Sequence, residues 1–389
     1  MTPPLNPPPL NLRVLELARI LAGPWAGQLL ADLGADVIKV ERPGEGDDTR
    51  HWGPPFLTAS DGTNLGAAYF HSCNRGKRSV AIDIASPQGQ AQVRALAADA
   101  DIVIENYKVG GLARYGLDAA TLRAANPRLV YCSVTGFGQS GPYAARAGYD
   151  FIIQGMGGAM SITGEPDGPP QKSGIAYADV FTGVYATVAI LAAIERRHAS
   201  GEGATIDMAL LDSQVGVLGN QALNWMASGR VPQRMGNGHV NLAPYQSFPT
   251  ADGDLIVAVG NDRQFARLCA VLGEPALAQD ERFATNPARV ANRIDLIPRI
   301  TALTLGRTST ELHAALDAAG VPVGAVNRID QVFADPQVLA RGMRVAVEDA
   351  HGDTLPGLAP PIVIDGVRMG HGKASPRLGE DADAKWYAR

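Results

Sequence analysis

Segments typical of buried strands alternate with helical segments from residue 14 to residue 137, and this alternation constrains the fold more than any other feature. The strand-like runs are VLEL, ADVIKVE, SVAIDI, DIVIENY and LVYCSVTGF. Helical segments lie at 22–34, ending on Gly34, and at 86–100, with Ser86 as N-cap and Pro87 behind it. Repeated strand–helix–strand units predict a mostly parallel, Rossmann-like α/β sheet.

A sheet of this kind binds its ligand beyond the carboxyl ends of the strands. The residues expected at that edge are 17–19, 41–42, 105–107 and 135–138. The sequence therefore predicts that these short segments contribute to a binding site.

The second half of the chain indicates further structure. A glycine-rich connection leads to the long apolar helix that contains Asp179, which is followed by a strand, ATIDMAL, and a helix from about 211 to 228. From LIVAVG to about residue 326 the pattern predicts a smaller α/β region, and IVIDGV predicts a short strand near the end. A length of 389 residues also favours two domains over one.

Composition excludes several classes of protein. A formal net charge of −5 argues against nucleic acid as the main ligand. Cys73, Cys132 and Cys269 form no CxxC pair, which argues against a disulfide framework or zinc site and favours a reducing cytoplasm. The proline-rich start does not have the pattern of a signal peptide, and the most apolar run, 184–194, is shorter than a membrane span needs. We therefore expect a cytoplasmic protein with no membrane partner.

Sequence motifs of the common nucleotide and hydrolase sites are missing. There is no GxxxxGK[ST] loop, no GxGxxG in the first strand–helix turn and no GxSxG elbow. The seven histidines show no HExxH or other ligand spacing, so we expect no metal. An NAD-dependent dehydrogenase is consequently a distant alternative.

One acid, Asp179, lies among small and apolar residues in the stretch SGIAYADVFTGVYATVAILAAIERR. Aspartate is a favoured N-cap, so the residue is a candidate cap for the helix that follows. The same composition also suits a carboxylate kept in a dry place for chemistry. The local pattern leaves both readings open.

Five blocks in series resemble the family III CoA-transferases (CaiB/BaiF type) in order and spacing, over residues 12–379. They are the segment from VLELARILAGPWAG to GEGDDTR, then NRGKRSVAIDIASPQG, IENYKVGGLARYGL, SVTGFGQSGPYAARAGYD, and the helix of Asp179. ERPGEGDDTRHWGPPF and GNGHVNLAPYQSFPTADG are most similar to members that move CoA between dicarboxylic acids, such as succinyl-CoA:glutarate or malate-type transferases.

The resemblance implies an interlocked homodimer with its active site between subunits. It assigns 12–215 and 329–389 to a large Rossmann-like domain and 216–328 to a small domain with linkers. It implies acyl-CoA and carboxylic acids as substrates, with no permanently bound cofactor. It assigns Asp179 as the nucleophile. The reaction would then proceed through mixed anhydrides and an aspartyl-CoA thioester on that residue.

The resemblance also implies further site residues. Tyr149 and Asp150 match a segment lining the active site, and a loop with Gly236 and Gly238 would close over Asp179 and offer N–H groups to an oxyanion. Residues expected to contact CoA are Arg42, Arg114, Asn106, Ile82, Leu21 and Ala22. These assignments have purely structural alternatives. Tyr149 and Asp150 could form a turn, and Gly236 and Gly238 could form an ordinary glycine turn. Arg42 and Arg114 could be solvated surface residues, Asn106 could cap a strand, and Ile82 could pack in the core.

Departures from the family pattern argue against two of the activities found in the superfamily. Ala85 and Ala147 replace lysines of some members, which argues against the formyl-CoA:oxalate type. Racemases of the superfamily have a histidine where Tyr149 stands, and a two-base racemization needs it. An acyl-CoA racemase or epimerase and a non-catalytic CoA-binding subunit remain the alternatives.

Overall fold

A six-stranded parallel sheet organises the larger part of the chain in the computed structural model, which describes residues 10–382 and 385–387. The strands of the described residues are β1 (Arg13–Glu16), β2 (Asp36–Glu41), β3 (Phe56–Thr58), β4 (Asn64–Ala67), β5 (Arg78–Ala81), β6 (Ile102–Glu105), β7 (Val130–Thr135), β8 (Thr205–Ala209), β9 (Tyr245–Pro249), β10 (Asp254–Ala258), β11 (Val323–Ala325), β12 (Arg344–Glu348), β13 (Thr354–Leu358), β14 (Val363–Ile364) and β15 (Val367–Arg368).

Helices connect and cover these strands. The α-helices of the described residues are α1 (Ala22–Asp32), α2 (Ala68–His71), α3 (Pro87–Ala98), α4 (Ala119–Ala125), α5 (Asp150–Met156), α6 (Ala159–Ile162), α7 (Tyr177–Ser200), α8 (Leu210–Gly216), α9 (Asn220–Ser228), α10 (Asp262–Val271), α11 (Asn286–Ala291), α12 (Arg293–Thr304), α13 (Ser309–Ala318), α14 (Ile329–Val332) and α15 (Pro336–Ala340). Short 3₁₀ helices lie at Asp48–His51, Ala113–Tyr115 and Pro275–Ala278.

The strand order of the large sheet is β5-β2-β1-β6-β7-β8, and every pairing in it is parallel. The chain therefore winds outward from β1 in one direction and then from β6 in the other. The register sets Val14 of β1 between Val37 of β2 and Ile102 of β6. This is the Rossmann order, whose ligand crevice lies where the order reverses. The predicted fold class is confirmed.

The sheet is apolar on both faces, as parallel sheets are. Neighbouring residues of β1 point to opposite sides, so Val14 packs in a core with α1 and α7, whereas Leu15 packs in a core with α3 and α4. Ser86 caps α3 through a hydrogen bond from the Gly89 N–H, as predicted. Each face of the sheet is thus covered by helices.

Helices α1 and α7 approach each other closely at Gly183. A Cβ at that position would lie 2.7 Å from the Ala22 carbonyl oxygen and 2.9 Å from the Trp25 Cβ. A larger residue therefore has no room there. Because Ala22 begins α1 and α7 begins at Tyr177, this contact brings the N-terminal halves of the two helices together beside the sheet.

The chain divides into two compact units. Unit 1 contains the residues up to Ala159, Lys172–Leu223 and the residues from Asp335, and unit 2 contains Met160–Gln171 and Asn224–Ala334. Unit 2 holds an antiparallel sheet of order β11-β10-β9, whose Phe248 and Val257 share a core with α10, α12 and α13. The domain boundaries implied by the resemblance stay a prediction.

Several sequence predictions need correction. The helix expected at 211–228 is broken into α8 and α9, because the chain turns at Gly219, which has a φ of +54°. IVIDGV forms a two-stranded hairpin, β14 and β15, rather than one strand. The glycine-rich connections also contain structure, namely α5 and β9.

The apolar helix α7 is longer than its most apolar run indicated. Its 24 residues are long and apolar enough to cross a membrane by length and composition. One such helix is weak evidence for a membrane protein, and residues of α7 such as Ala186 and Ile190 are buried in the core of unit 1.

Charged side chains are buried together beneath the carboxyl edge of the sheet. Glu16 accepts from Lys39 Nζ at 2.9 Å and from Lys77 Nζ at 2.8 Å, and Asp47 accepts from Lys39 Nζ at 2.9 Å. All four side chains are 0% exposed. Burial alone would lower the pKa of Lys39, but the carboxylates of Asp47 and Glu16 outweigh it and raise that pKa.

Replacing Glu16 by glutamine should lower the free energy of unfolding by about 3–5 kcal/mol, because Lys77 is left buried with no acid partner. Glu45→Gln is the matched control, since its ion pair with Arg42 is exposed and should matter by less than about 1 kcal/mol. Urea denaturation of the three proteins measures both values. Equal stability of Glu16→Gln and the unsubstituted protein would contradict the assigned network.

Candidate active site

A cavity of about 630 Å³ opens at the carboxyl edge of the parallel sheet, beside the reversal point between β1 and β6. Its lining residues are 19–22, 106–111, Arg114, 134–136, Ala144, 146–149, Asp179 and Leu210. They belong to unit 1, and most lie at or after the ends of β1, β6 and β7, as expected for a doubly wound sheet, while Asp179 comes from α7 and Leu210 from α8. The sequence-predicted edge segments 17–19, 105–107 and 135–138 all contribute residues, whereas 41–42 does not.

Asp179 lies in the first turn of α7 and lines this cavity. The residue before the helix is Ala176, so Asp179 is not the N-cap, and that reading of the sequence is wrong. The N–H of Ala178, which lies in the first turn of α7, donates to Asp150 Oδ1 at 2.9 Å. A carboxylate from α5 therefore caps α7 and leaves that of Asp179 for the cavity.

Asp150 is itself held by Gln154, one turn along α5. Gln154 Nε2 donates to Asp150 Oδ2 at 2.7 Å, and Gln154 Oε1 accepts from the Ser173 N–H at 2.8 Å. The Gln154 side chain is almost completely buried. These bonds fix the carboxylate of Asp150 between α5 and the start of α7.

Burial, with a smaller contribution from the negative charge of Asp150, raises the pKa of Asp179 to about 7. Within the part of the chain that the structure describes, no hydrogen bond is made to the Asp179 carboxylate. A half-ionised carboxylate with free oxygen lone pairs can act as a nucleophile at neutral pH.

Cations dominate the charge of the cavity wall. Asp179 is the one acid among the lining residues, and the cations are Arg19, Lys108, Arg114 and Arg146. Arg146 stacks over the rings of Phe137 and Tyr143, with its guanidinium 4.6 Å from the second ring centroid. Such a wall fits an anionic ligand with phosphate or carboxylate groups.

The sequence interpretation missed Lys108 and Arg146, and it included Arg19 only as part of a strand end. Lys108 and Arg146 lie in irregular connections, where no periodicity marks a residue that faces a site. The strand-end rule was the one signal available, and it located Arg19.

Six of the predicted site residues line the cavity, namely Asp179, Tyr149, Asn106, Arg114, Leu21 and Ala22. Tyr149 precedes α5 and is 55% exposed. The side-chain amide of Asn106 accepts from the Arg19 N–H at 2.9 Å and donates to the Arg19 carbonyl at 2.6 Å. Asn106 thus already bonds the backbone beside the cavity, and its contact with CoA stays a prediction.

Other predicted residues lie elsewhere. Arg42 is exposed and pairs with Glu45 at 2.8 Å, and Ile82 packs against the core on the α3 side of the sheet. Gly236 and Gly238 belong to unit 2, where their N–H groups donate to the carbonyls of Gly164 and Met235. The oxyanion role of these two glycines therefore requires the loop to rearrange, and it stays a prediction.

The other nucleophiles and metal ligands give no competing site. Burial raises the pKa of Cys73 to about 12 and that of Cys269 to about 11, and it also raises the pKa of the Cys132 thiol. The three thiols are therefore protonated at neutral pH. Among residues 10–382 and 385–387, no group of three histidine, cysteine or acidic side chains is placed to hold a metal ion.

Comparison with known proteins agrees with this geometry. The family model described as CoA-transferase family III matches residues 10–382. The chain belongs to CoA-transferase family III. The resemblance inferred from the sequence is thereby confirmed, and the chain is an enzyme of the CoA-transferase class that uses CoA thioesters as substrates.

Curated and solved relatives cover nearly the whole chain of this CoA-transferase. Succinate–glutarate CoA-transferase of Agrobacterium fabrum is 57% identical over 378 residues, which are 97% of this chain and 94% of the relative. Human succinyl-CoA:glutarate CoA-transferase is 39% identical and covers 95% of this chain and 83% of its own. A crystal structure of a CAIB/BAIF family protein from Brucella suis superimposes with a TM-score of 0.86 at 55% identity, covering 97% and 98% of the two chains.

The raised pKa of Asp179 has a consequence for stability. An acid whose pKa is higher in the folded state than in the unfolded state costs stability as pH rises from the unfolded value, about 4, to the folded value, about 7. Asp179→Asn should therefore raise the melting temperature at pH 8 and change it little at pH 4. Differential scanning calorimetry at both pH values measures the effect, and an equal shift at both would contradict the raised pKa.

Proposed function

We propose that this enzyme moves CoA from succinyl-CoA to a short dicarboxylate such as glutarate, with Asp179 as the covalent nucleophile. The observation that carries the proposal is the Asp179 carboxylate, half-buried and with no hydrogen bond from the residues that the structure describes, in a cation-lined cavity at the reversal point of the sheet. The names of the relatives support the substrate pair, since succinate and glutarate occur in those from Agrobacterium fabrum and human.

The reaction proceeds in two matched halves. The Asp179 carboxylate attacks the thioester carbonyl of succinyl-CoA and forms a mixed anhydride, and the CoA thiolate leaves. The thiolate then attacks the aspartyl carbonyl, which forms an aspartyl-CoA thioester and expels succinate. The acceptor carboxylate repeats these steps in reverse order, leaving as acyl-CoA and restoring the Asp179 carboxylate.

The raised pKa of Asp179 affects how each mixed anhydride breaks down, in opposite senses for the two halves of the reaction. The thiolate can attack either carbonyl of such an anhydride, and the less basic carboxylate is the better leaving group. An ordinary carboxylate has a pKa of about 4, whereas that of Asp179 is about 7. This difference favours expulsion of succinate from the first anhydride and opposes expulsion of Asp179 from the anhydride with the acceptor.

The cavity wall suits both parts of the substrate. A CoA thioester brings phosphates, and succinyl or glutaryl groups bring a second carboxylate at a distance from the reacting one. Four cations line the cavity for these anions, of which Arg19 is already paired with Asp48 at 2.8 Å, and the aromatic stack of Arg146 holds its guanidinium with little loss of side-chain freedom. In the same wall Gly136 and Gly148 pack backbone against backbone, since a Cβ on Gly136 would lie 2.6 Å from the Gly148 Cα.

We also propose that a second copy of the chain is a permanent partner. One stripe of α7 remains apolar and open to solvent in the single chain, with Phe181 39%, Tyr185 44% and Val188 59% exposed. The spacing of four and three residues places these side chains on one face. The interlocked homodimer of the family would cover this face, and a monomer mass in sedimentation equilibrium would contradict the proposal.

Asp179→Ala should lower kcat/KM for CoA transfer from succinyl-CoA to glutarate by about 10³-fold or more, because no other group of the described cavity wall replaces the nucleophile. Asp212→Asn is the matched control, since Asp212 is also an acid in the first turn of a helix but is exposed and does not line the cavity. It should retain nearly full activity. Initial rates over a panel of acceptor acids measure both variants.

Other outcomes of that panel favour the alternatives. Exchange of the α-hydrogen of an acyl-CoA without any acceptor acid would favour a racemase, and tight CoA binding without turnover would favour a binding subunit. Either result contradicts the transferase proposal.

The rate of transfer should rise with pH to a plateau above about 7, because only the ionised form of Asp179 attacks. Asp150→Asn removes the neighbouring negative charge and the acceptor for Gln154 Nε2, while its remaining oxygen can still accept from the Ala178 N–H. The midpoint of the kcat/KM profile should therefore move to lower pH in that variant. A midpoint that does not move would remove Asp150 from the electrostatics of the site.

A further inference from the structure

The turn that follows β1 has an unusual backbone conformation at the wall of the cavity. Ile20 lines the cavity and has a φ of +73°, the left-handed region that a β-branched residue rarely adopts. Conformations of this kind persist only where surrounding interactions hold them. The residues on both sides of Ile20 line the same cavity, so its conformation determines how this part of the wall is presented.

A buried carboxylate holds the backbone of Ile20. The Ile20 N–H lies 3.2 Å from both Asp47 Oδ1 and Asp47 Oδ2, and the Asp47 side chain is 0% exposed. Asp47 is held in turn by Lys39 Nζ at 2.9 Å and by the Thr49 hydroxyl at 2.8 Å. Burial opposes ionisation of Asp47, but the ammonium of Lys39 outweighs it and lowers the pKa of Asp47 to about 2.

The neighbouring residues of the turn are fixed as well. Lys39 Nζ donates to the Ala18 carbonyl at 2.7 Å, and the Asn106 amide bonds both backbone groups of Arg19. The Cys73 thiol faces the Ile20 carbonyl oxygen at 3.6 Å. Residues 18–20 are therefore bonded from three sides by side chains that come from different elements.

We propose that Asp47 is a positioning residue for the transfer reaction, which holds Ile20 in its left-handed conformation and so places the wall formed by residues 19–22. The inference rests on the proposed function. The Lys39–Asp47 pair supplies the fixed charge, and the Asn106 amide supplies the second attachment. Asp47 acts through the backbone of the turn and does not itself line the cavity.

The test uses Asp47→Asn and Ile20→Gly, alone and combined. In Asp47→Asn an amide nitrogen replaces one of the two oxygens that share the Ile20 N–H and presents a donor to Lys39, so one acceptor for Ile20 and the ion pair that fixes the side chain of residue 47 are both lost. Glycine adopts a positive φ without the penalty that a Cβ brings. The strain that Asp47 has to hold is therefore removed in the Ile20→Gly background.

Asp47→Asn alone should lower kcat/KM by about tenfold or more, mostly through kcat, because a misplaced wall disturbs the reacting geometry. The combined variant should recover to within about threefold of Ile20→Gly alone. Asp32→Asn is the control, since Asp32 is also buried in an ion pair, with Arg75, but lies at the far end of α1. It should lower the melting temperature without a comparable loss of kcat in the folded enzyme.

Two results would overturn the proposal, namely unchanged kinetics in Asp47→Asn or an equal loss in both backgrounds. If the unsubstituted protein transfers CoA to no acid, the proposed function fails instead. The role of Asp47 in holding Ile20 is then judged by the melting temperatures of four proteins, namely the unsubstituted protein, Asp47→Asn, Ile20→Gly and the combined variant. Asp47→Asn should lower that temperature more with Ile20 present than in the Ile20→Gly background, and equal lowering would contradict it.

Discussion

The site depends on one electrostatic arrangement, in which the Asp179 carboxylate accepts no hydrogen bond from the described residues and feels the charge of a second carboxylate, Asp150, at the start of the same helix. Asp179 would ordinarily gain stability from the N–H groups at the start of α7, but Asp150 accepts the bond from Ala178 instead. Burial and the charge of Asp150 leave Asp179 with a pKa of about 7. The fold must therefore hold a destabilised group in place, and the rest of unit 1 does so.

The packing around the cavity shows how unit 1 holds Asp179 in place. Gly183 lets α7 lie directly on α1, so the nucleophile comes beside the turn that follows β1. Lys39 and Asp47 bond to that turn from below the sheet edge, and Glu16 holds Lys39 in place. A network of ions is a costly way to stabilise a core, and its value here lies in the geometry that it fixes.

Much of the fold follows from the sequence, because parallel strands and their helices have strong patterns. The strands at β1, β2, β6 and β7, the cap at Ser86 and the glycine after α1 were all predictable from neighbouring residues. Asp179, Tyr149 and Asn106 were placed by family resemblance, and they line one cavity. The break at Gly219 had a local signal, a glycine inside the predicted helix, whereas the capping role of Asp150 depends on a contact between α5 and α7, which local patterns do not encode.

The most direct test of the central claim is to trap the covalent intermediate. The enzyme is incubated with succinyl-CoA and no acceptor, treated with hydroxylamine, and digested for peptide mass spectrometry. The account predicts an aspartyl hydroxamate at Asp179, dependent on succinyl-CoA and missing when Asp179 is replaced by alanine. A hydroxamate at another residue, or no adduct with any acyl-CoA that the enzyme binds, would contradict it.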